Sequence, residues 1–135
     1  MSEIPSELKE QAKFVQWCRE MGHMVCATAQ STYTDSWKAI NQNTTAGVVR
    51  GFPDLAVIVD GRYREDYKSK LVFVEMKRTK GGVVSKEQKK WLMALSQCYG
   101  VSAMVCKGFE EAKKYIEYFM EVEPLFDDSF INSLK

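Results

Sequence analysis

Long apolar runs, clustered histidines and paired cysteines are what this sequence lacks. No stretch approaches the roughly 20 apolar residues that a membrane helix requires. The first ten residues, MSEIPSELKE, are polar and acidic rather than a charged-then-apolar leader. Together these absences lead us to expect a cytosolic, cytoplasmic protein with no membrane partner. There is one histidine, His23, and the four cysteines, Cys18, Cys26, Cys98 and Cys106, are far apart with no C-x-x-C pair. A zinc site needs such residues clustered at fixed spacing, so zinc chemistry finds no ligands here. The cysteines, each in an apolar context, read as reduced core thiols. His23, just after a helix stop at Gly22, reads as a surface or capping residue, and nothing marks a Ser or Cys as a nucleophile. An excess of either charge is missing too, since the net charge is +1.

What is present starts with a core. A chain of 135 residues, 45% hydrophobic and 12% aromatic, fits one compact domain and is too short for two. We expect a single domain over 1–135, with its core at about 6–122 and a tail at 123–135. Two stretches stand out. Gly51-Phe52-Pro53-Asp54-Leu55 opens one apolar, β-branched run and Val74-Glu75-Met76-Lys77 closes the next. Both have the length of buried strands, yet both carry charge at the ends that would meet. Residues two apart on a strand share a face, which groups Asp54, Ala56 and Ile58 and likewise Leu71, Phe73, Glu75 and Lys77. If Val48–Asp60 and Lys70–Lys77 pair as an antiparallel hairpin, Asp54, Glu75 and Lys77 meet at one sheet edge. Two adjacent carboxylates repel unless a cation lies between them. Oxygen ligands without clustered Cys or His favour Mg²⁺ or Mn²⁺.

The even net charge conceals an asymmetry. From residue 77 to 90 the charges are Lys77, Arg78, Lys80, Lys86, Lys89 and Lys90 against Glu87, whereas from 110 to 128 acids dominate. A basic segment beginning beside the acidic pair suits a polyanion, against the plainer alternative of a solvated helix face.

In order along the chain, Ser6 can cap a helix running to Met21. Its apolar face would hold Leu8, Ala12, Phe14, Val15, Trp17, Cys18 and Met21, with Glu7 and Gln11 interrupting it. Such breaks in a binary pattern concentrate at functional sites; a first-turn acid that favours the helix dipole is the bland alternative. Met24–Ala29 reads as a short strand and Gln30–Val49 as a polar stretch with a helical turn around Trp37–Gln42. Beside an acidic centre, Tyr33, Trp37, Lys38 and Arg50 could stack on or grip a nucleic-acid strand, with anchoring of the loop on the core as the equal alternative for Trp37. Asp60-Gly61 signals the hairpin turn. Ser85-Lys86-Glu87-Gln88 is a capping box opening a helix Lys86–Tyr99. Val101–Lys107 is a further strand, and Glu110–Val122 a surface helix with Ala112, Tyr115, Ile116 and Phe119 inward. Leu125, Phe126, Phe130, Ile131 and Leu134 give the tail more apolar surface than a solvated segment needs, enough to pack on the core or on a second subunit.

Pro53-Asp54 followed by Glu75-Met76-Lys77 resembles the PD-(D/E)XK nuclease signature. The glycine two residues before the Pro-Asp, the apolar strands on both motifs and the Ser85–Gln88 helix opening, with Trp91 and Leu95 behind it, make the chain similar to the VRR-NUC branch over roughly Glu7 to Ile116. Val48-Val49-Arg50-Gly51 departs from the Val-Arg-Arg that names that branch. The resemblance implies an α/β fold, a restriction-endonuclease-like αβββαβ core with a small mixed sheet flanked by helices, plus a C-terminal helix and tail.

It further implies a metal-dependent DNA endonuclease. Asp54 and Glu75 would hold one or two Mg²⁺, aided by the Met76 carbonyl and by Glu7 through water, with Glu10 as the alternative helix acid. Lys77 would orient the attacking water, and Gln88 would stand beside the centre. Arg50, Lys38, Arg78, Lys80, Lys86, Lys89 and Lys90 would meet DNA. Stand-alone members of the branch are associated with junction resolution, which points to branched DNA such as four-way (Holliday) junctions and to a homodimer. Competing readings are a nucleic-acid-binding module without catalysis and a protein that binds a host factor through its acidic helix and apolar tail.

Overall fold

The structure, a computed structural model, describes residues 6–28 and 45–124. Expectations placed on Tyr33, Trp37, Lys38 and the apolar residues of the tail therefore lie outside the described residues. Ser6 caps the first helix, α1 (Glu7–Glu20), its hydroxyl accepting from Lys9 N–H at 3.1 Å. Then come β1 (Met24–Ala27), β2 (Leu55–Val59), a 3-10 turn (Gly61–Tyr63), β3 (Lys70–Lys77), α2 (Lys86–Ser96), β4 (Val101–Lys107) and α3 (Gly108–Phe119). The four strands form one sheet in the order β1-β2-β3-β4, antiparallel for the first two pairs and parallel for β3 with β4. This is the expected α/β order: among the described residues, a mixed four-stranded sheet with three helices around it.

Alternation along the strands sorts the two faces. Leu55, Val57 and Val59 of β2 and Val72, Val74 and Met76 of β3 are buried with Phe14, Cys18, Cys106, Ala112 and Ile116. That face is covered by α1 and α3, which pack on each other. Complete burial of a Val, Leu, Ile, Phe or Met side chain contributes roughly 1.5–3 kcal/mol, so this layer is the main source of cohesion. The other face carries Phe73 and Glu75 and is only partly covered, by α2.

Several boundaries differ from expectation for identifiable reasons. β2 begins at Leu55 rather than Val48, because Pro53 has no N–H for the ladder and Gly51 turns the chain at φ +89°. α2 stops at Ser96, not Tyr99. α3 runs Gly108–Phe119 rather than 110–122, and beyond it Glu121 and Val122 N–H both donate to the Tyr63 carbonyl, at 2.6 and 3.0 Å. The buried stripe of α1 is Glu10, Phe14 and Cys18, while Leu8 is 74% exposed. α1 is thus rotated about its axis relative to the face expected for it.

Two further expectations are corrected. His23 is buried, 3% exposed, with Nδ1 accepting from Asp60 N–H at 3.0 Å and its ring between Trp17 and Tyr63. It joins the start of β1 to the end of β2. Of the cysteines only Cys18 and Cys106 are core thiols; Cys26 and Cys98 are exposed.

Candidate active site

The register decides what meets. Leu55 faces Val74, so one step back Asp54 faces Glu75, and one more puts Pro53 opposite Met76. Asp54 N–H donates to Glu75 Oε2 at 3.2 Å, and Met76 N–H donates to Asp54 Oδ2 at 2.9 Å. Each acid is therefore held by the other's strand. Backbone N–H and C=O of one strand residue leave on the same edge, so the Met76 carbonyl points the way its N–H does, toward β2. Pro53 has no N–H to offer it. The proline thus leaves a backbone oxygen available beside the two carboxylates.

Thr28 fastens the other side. Its N–H donates to the Asp54 carbonyl at 2.8 Å and its hydroxyl donates to the Pro53 carbonyl. Nothing in the sequence singled out Thr28; a hydroxyl immediately after a short apolar strand was the available signal. Phe52 was missed as well. It stands edge-on to Phe73 and Trp91, with ring centroids 5.5 and 5.2 Å away, and so ties the Pro-Asp turn to β3 and α2.

Gln88 does two jobs with one amide. Its Oε1 accepts from Ser85 N–H at 2.8 Å, closing the capping box, and its Nε2 donates to Glu75 Oε1 at 2.7 Å. Lys77 Nζ lies 3.8 Å from the same Oε1. Gly51 brings α2 close enough for this. A Cβ on Gly51 would stand 2.6 Å from the Glu87 carbonyl carbon and 2.7 Å from Gln88 N, and no side chain fits there.

Burial raises Asp54 above the ordinary carboxylate range, against the opposing effect of the Met76 N–H. Burial, followed by the charge of Asp54, pushes Glu75 up to about 8, with Lys77 acting in the other direction. The two carboxyl groups are neighbours, joined through the Asp54 N–H that donates to Glu75. Such a pair holds a proton or a cation between its oxygens, because two bare anions at this distance repel. Among the described residues no third His, Cys, Asp or Glu converges on it. Two carboxylates and a carbonyl suit Mg²⁺, which keeps several waters and takes the rest of its shell from substrate phosphate.

Neither helix acid joins the pair. Glu7 is half-buried at the start of α1. Glu10, the buried one, turns to α3 instead: its Oε2 accepts from Phe109 N–H at 3.1 Å, an acid satisfying a free donor at a helix N-terminus. The role expected of Glu7 is through water, and it belongs to the proposed function rather than to the direct contacts of the pair. Of the expected DNA contacts, Arg50, Arg78, Lys80, Lys86, Lys89 and Lys90 are all exposed. An open cleft of about 640 Å³ leads to Asp54, Glu75 and Gln88.

No curated protein matches the sequence. A solved structure described as a VRR-NUC domain protein superposes with a TM-score of 0.60 at 18% identity, covering 91% of this chain and 94% of the other; at that identity the likeness shows the fold alone. The VRR-NUC domain family model matches residues 1–110. With most of the chain inside that match, and with Pro53-Asp54 and Glu75-Met76-Lys77 joined where the two central strands meet at one end of the sheet, the chain belongs to the VRR-NUC family, a nuclease-type branch of the PD-(D/E)XK superfamily.

Proposed function

We propose that the protein is a metal-dependent DNA endonuclease that hydrolyses phosphodiester bonds in branched DNA, four-way junctions included, and that it works as a homodimer. The observation that carries the chemistry is the pairing of half-buried Asp54 with buried Glu75, with Lys77 and Gln88 on the same Glu75 oxygen. Asp54, Glu75 and the Met76 carbonyl would hold Mg²⁺ or Mn²⁺. When bound, such an ion polarises the phosphate and lowers the pKa of its water. Met76 N–H fixes Asp54 and Gln88 fixes Glu75, so neither acid has to reorganise for the reaction. Lys77, anchored by Glu75, orients the attacking water and offsets negative charge growing on the phosphate oxygens. Exposed Arg78, Lys80, Lys86, Lys89 and Lys90 grip the backbone without reading bases.

Size supports the dimer. One chain carries one such centre, whereas concerted cutting of two strands needs two, related by a two-fold axis. Purified protein should cut branched DNA in Mg²⁺ or Mn²⁺ and not in EDTA, and Asp54→Ala or Glu75→Ala should each abolish cutting while thermal melting remains cooperative. Binding without cleavage in both metals would replace the nuclease by a DNA-binding module.

A further inference from the structure

The apolar side of the cleft has no part in the chemistry assigned so far. Beyond the carboxylate pair the space is bounded by Val48, Val49, Phe52 and Trp91. Val48 and Val49 are 40% and 50% exposed. Core packing does not explain them: two β-branched apolar side chains sit on a loop, next to exposed Arg50 and in the same cleft as the carboxyl pair. The aromatic part of the wall is firm, since Phe52 is wedged between Phe73 and Trp91. Ring packing thus sets the aromatic part of the wall, and the far end of the wall is the proposed site of hydrolysis.

Resting on the nuclease reading, we propose that this wall receives one unpaired nucleobase, that of a nucleotide adjoining the scissile phosphate. Three features lead there. A space of about 640 Å³ lies in the range that encloses small ligands, and suits one nucleotide rather than a duplex. Apolar and aromatic surface stacks on any base, because every base has a π-face, so such a wall needs no base-specific contact. The wall also runs directly into Asp54 and Glu75, so a base seated on it leaves its own phosphate at the acids. In a duplex both faces of a base are already stacked on neighbours. Entry then requires flipping, which is least costly where the nucleotide is already unpaired. Selectivity for branches and flaps thereby originates in the cleft itself, through the unpaired nucleotide at the branch point.

The test uses the full-length protein in Mg²⁺ on a flapped DNA whose cleaved bond has been mapped. Three versions are compared: intact, abasic at the nucleotide 5′ of the scissile phosphate, and abasic at the nucleotide 3′ of it. One abasic version should show kcat/KM lower by roughly tenfold or more, in line with removal of one base stack. The double variant Val48→Ser/Val49→Ser, at positions exposed enough to leave folding intact, should lose a similar factor on intact DNA and nothing further on that abasic version. If both abasic versions are cut as well as intact DNA, or if the variant slows all three alike, the wall does not hold a base and the nuclease reading stands. If the wild type cuts no DNA in Mg²⁺ or Mn²⁺, the nuclease reading falls and this assignment with it.

Discussion

Glu75 is 3% exposed and accepts hydrogen bonds from Asp54 N–H and from Gln88, while Lys77 stands 3.8 Å away. The lysine is a compact charge on a flexible stem, which suits water and phosphate oxygens better than a broad guanidinium would. Lys77→Ala should lower kcat by about 10²–10³ with little change in KM, the cost of removing one donor aimed at developing charge; steady-state kinetics on a flapped DNA would measure it. His23 supplies a test unrelated to catalysis. Burial lowers it from an ordinary 6.5 to about 4, with Asp60 opposing and Arg62 adding to the fall. The unfolded chain therefore takes up this proton at a higher pH than the native one does. The stability contributed by neutral His23 is complete above about 6.5 and is lost as pH falls toward 4, by on the order of 3 kcal/mol. Denaturant midpoints followed from pH 7 to 4 should show this decline, and His23→Gln should flatten it.

Among the elements, α2 is the one that brings the centre together. Its Ser85–Gln88 box forms from local sequence, but only its approach to Gly51 places the Gln88 amide on Glu75. Gly51→Ala would add a Cβ 2.6 Å from backbone and would force an unfavourable φ of +89°. The cost should be about 1–3 kcal/mol in stability, and cleavage should fall further than stability explains, because Gln88 is pushed away from Glu75. Thermal melting together with kcat on the same preparation separates the two effects. The same helix exposes Lys86, Lys89 and Lys90, three and four residues apart and so on one side. Replacing all three by Gln should weaken DNA binding for every sequence. It should also reduce the slope of log K against log salt by about 0.9 for each duplex phosphate that the protein no longer neutralises. A slope that stays the same would place the DNA on another surface.

At the scale of the molecule, a small sheet covered on one face by α1 and α3 leaves the face bearing Glu75 only partly covered, by α2. In the proposed nuclease, DNA would reach the centre through the cleft on that side. The proposed dimer draws on the apolar tail residues Phe126, Phe130, Ile131 and Leu134. Sedimentation of the full chain should give a dimer, and a version ending at Pro124 a monomer with reduced cutting of four-way junctions. A monomeric full-length protein would remove the two-fold arrangement.

Sequence alone determined the order of elements and the meeting of Asp54, Glu75 and Lys77, because a strand's side-chain period of two and a hairpin between two apolar runs leave few other arrangements. It determined the α1 cap and the capping box on α2 too, since these bonds form between near neighbours in the chain. What it did not hold was set by contacts between distant segments. The rotation of α1 that buries Glu10 and exposes Leu8 follows from packing against α3, where Phe109 offers a free N–H. The burial of His23 depends on Asp60 and Tyr63, which are remote from it along the chain. The role of Thr28 depends on Pro53, whose carbonyl becomes available only where the ladder ends. Local periodicity can assign a residue to a face, but the neighbour that a buried polar group finds there is a property of the assembled fold, in which each such group must be given a partner.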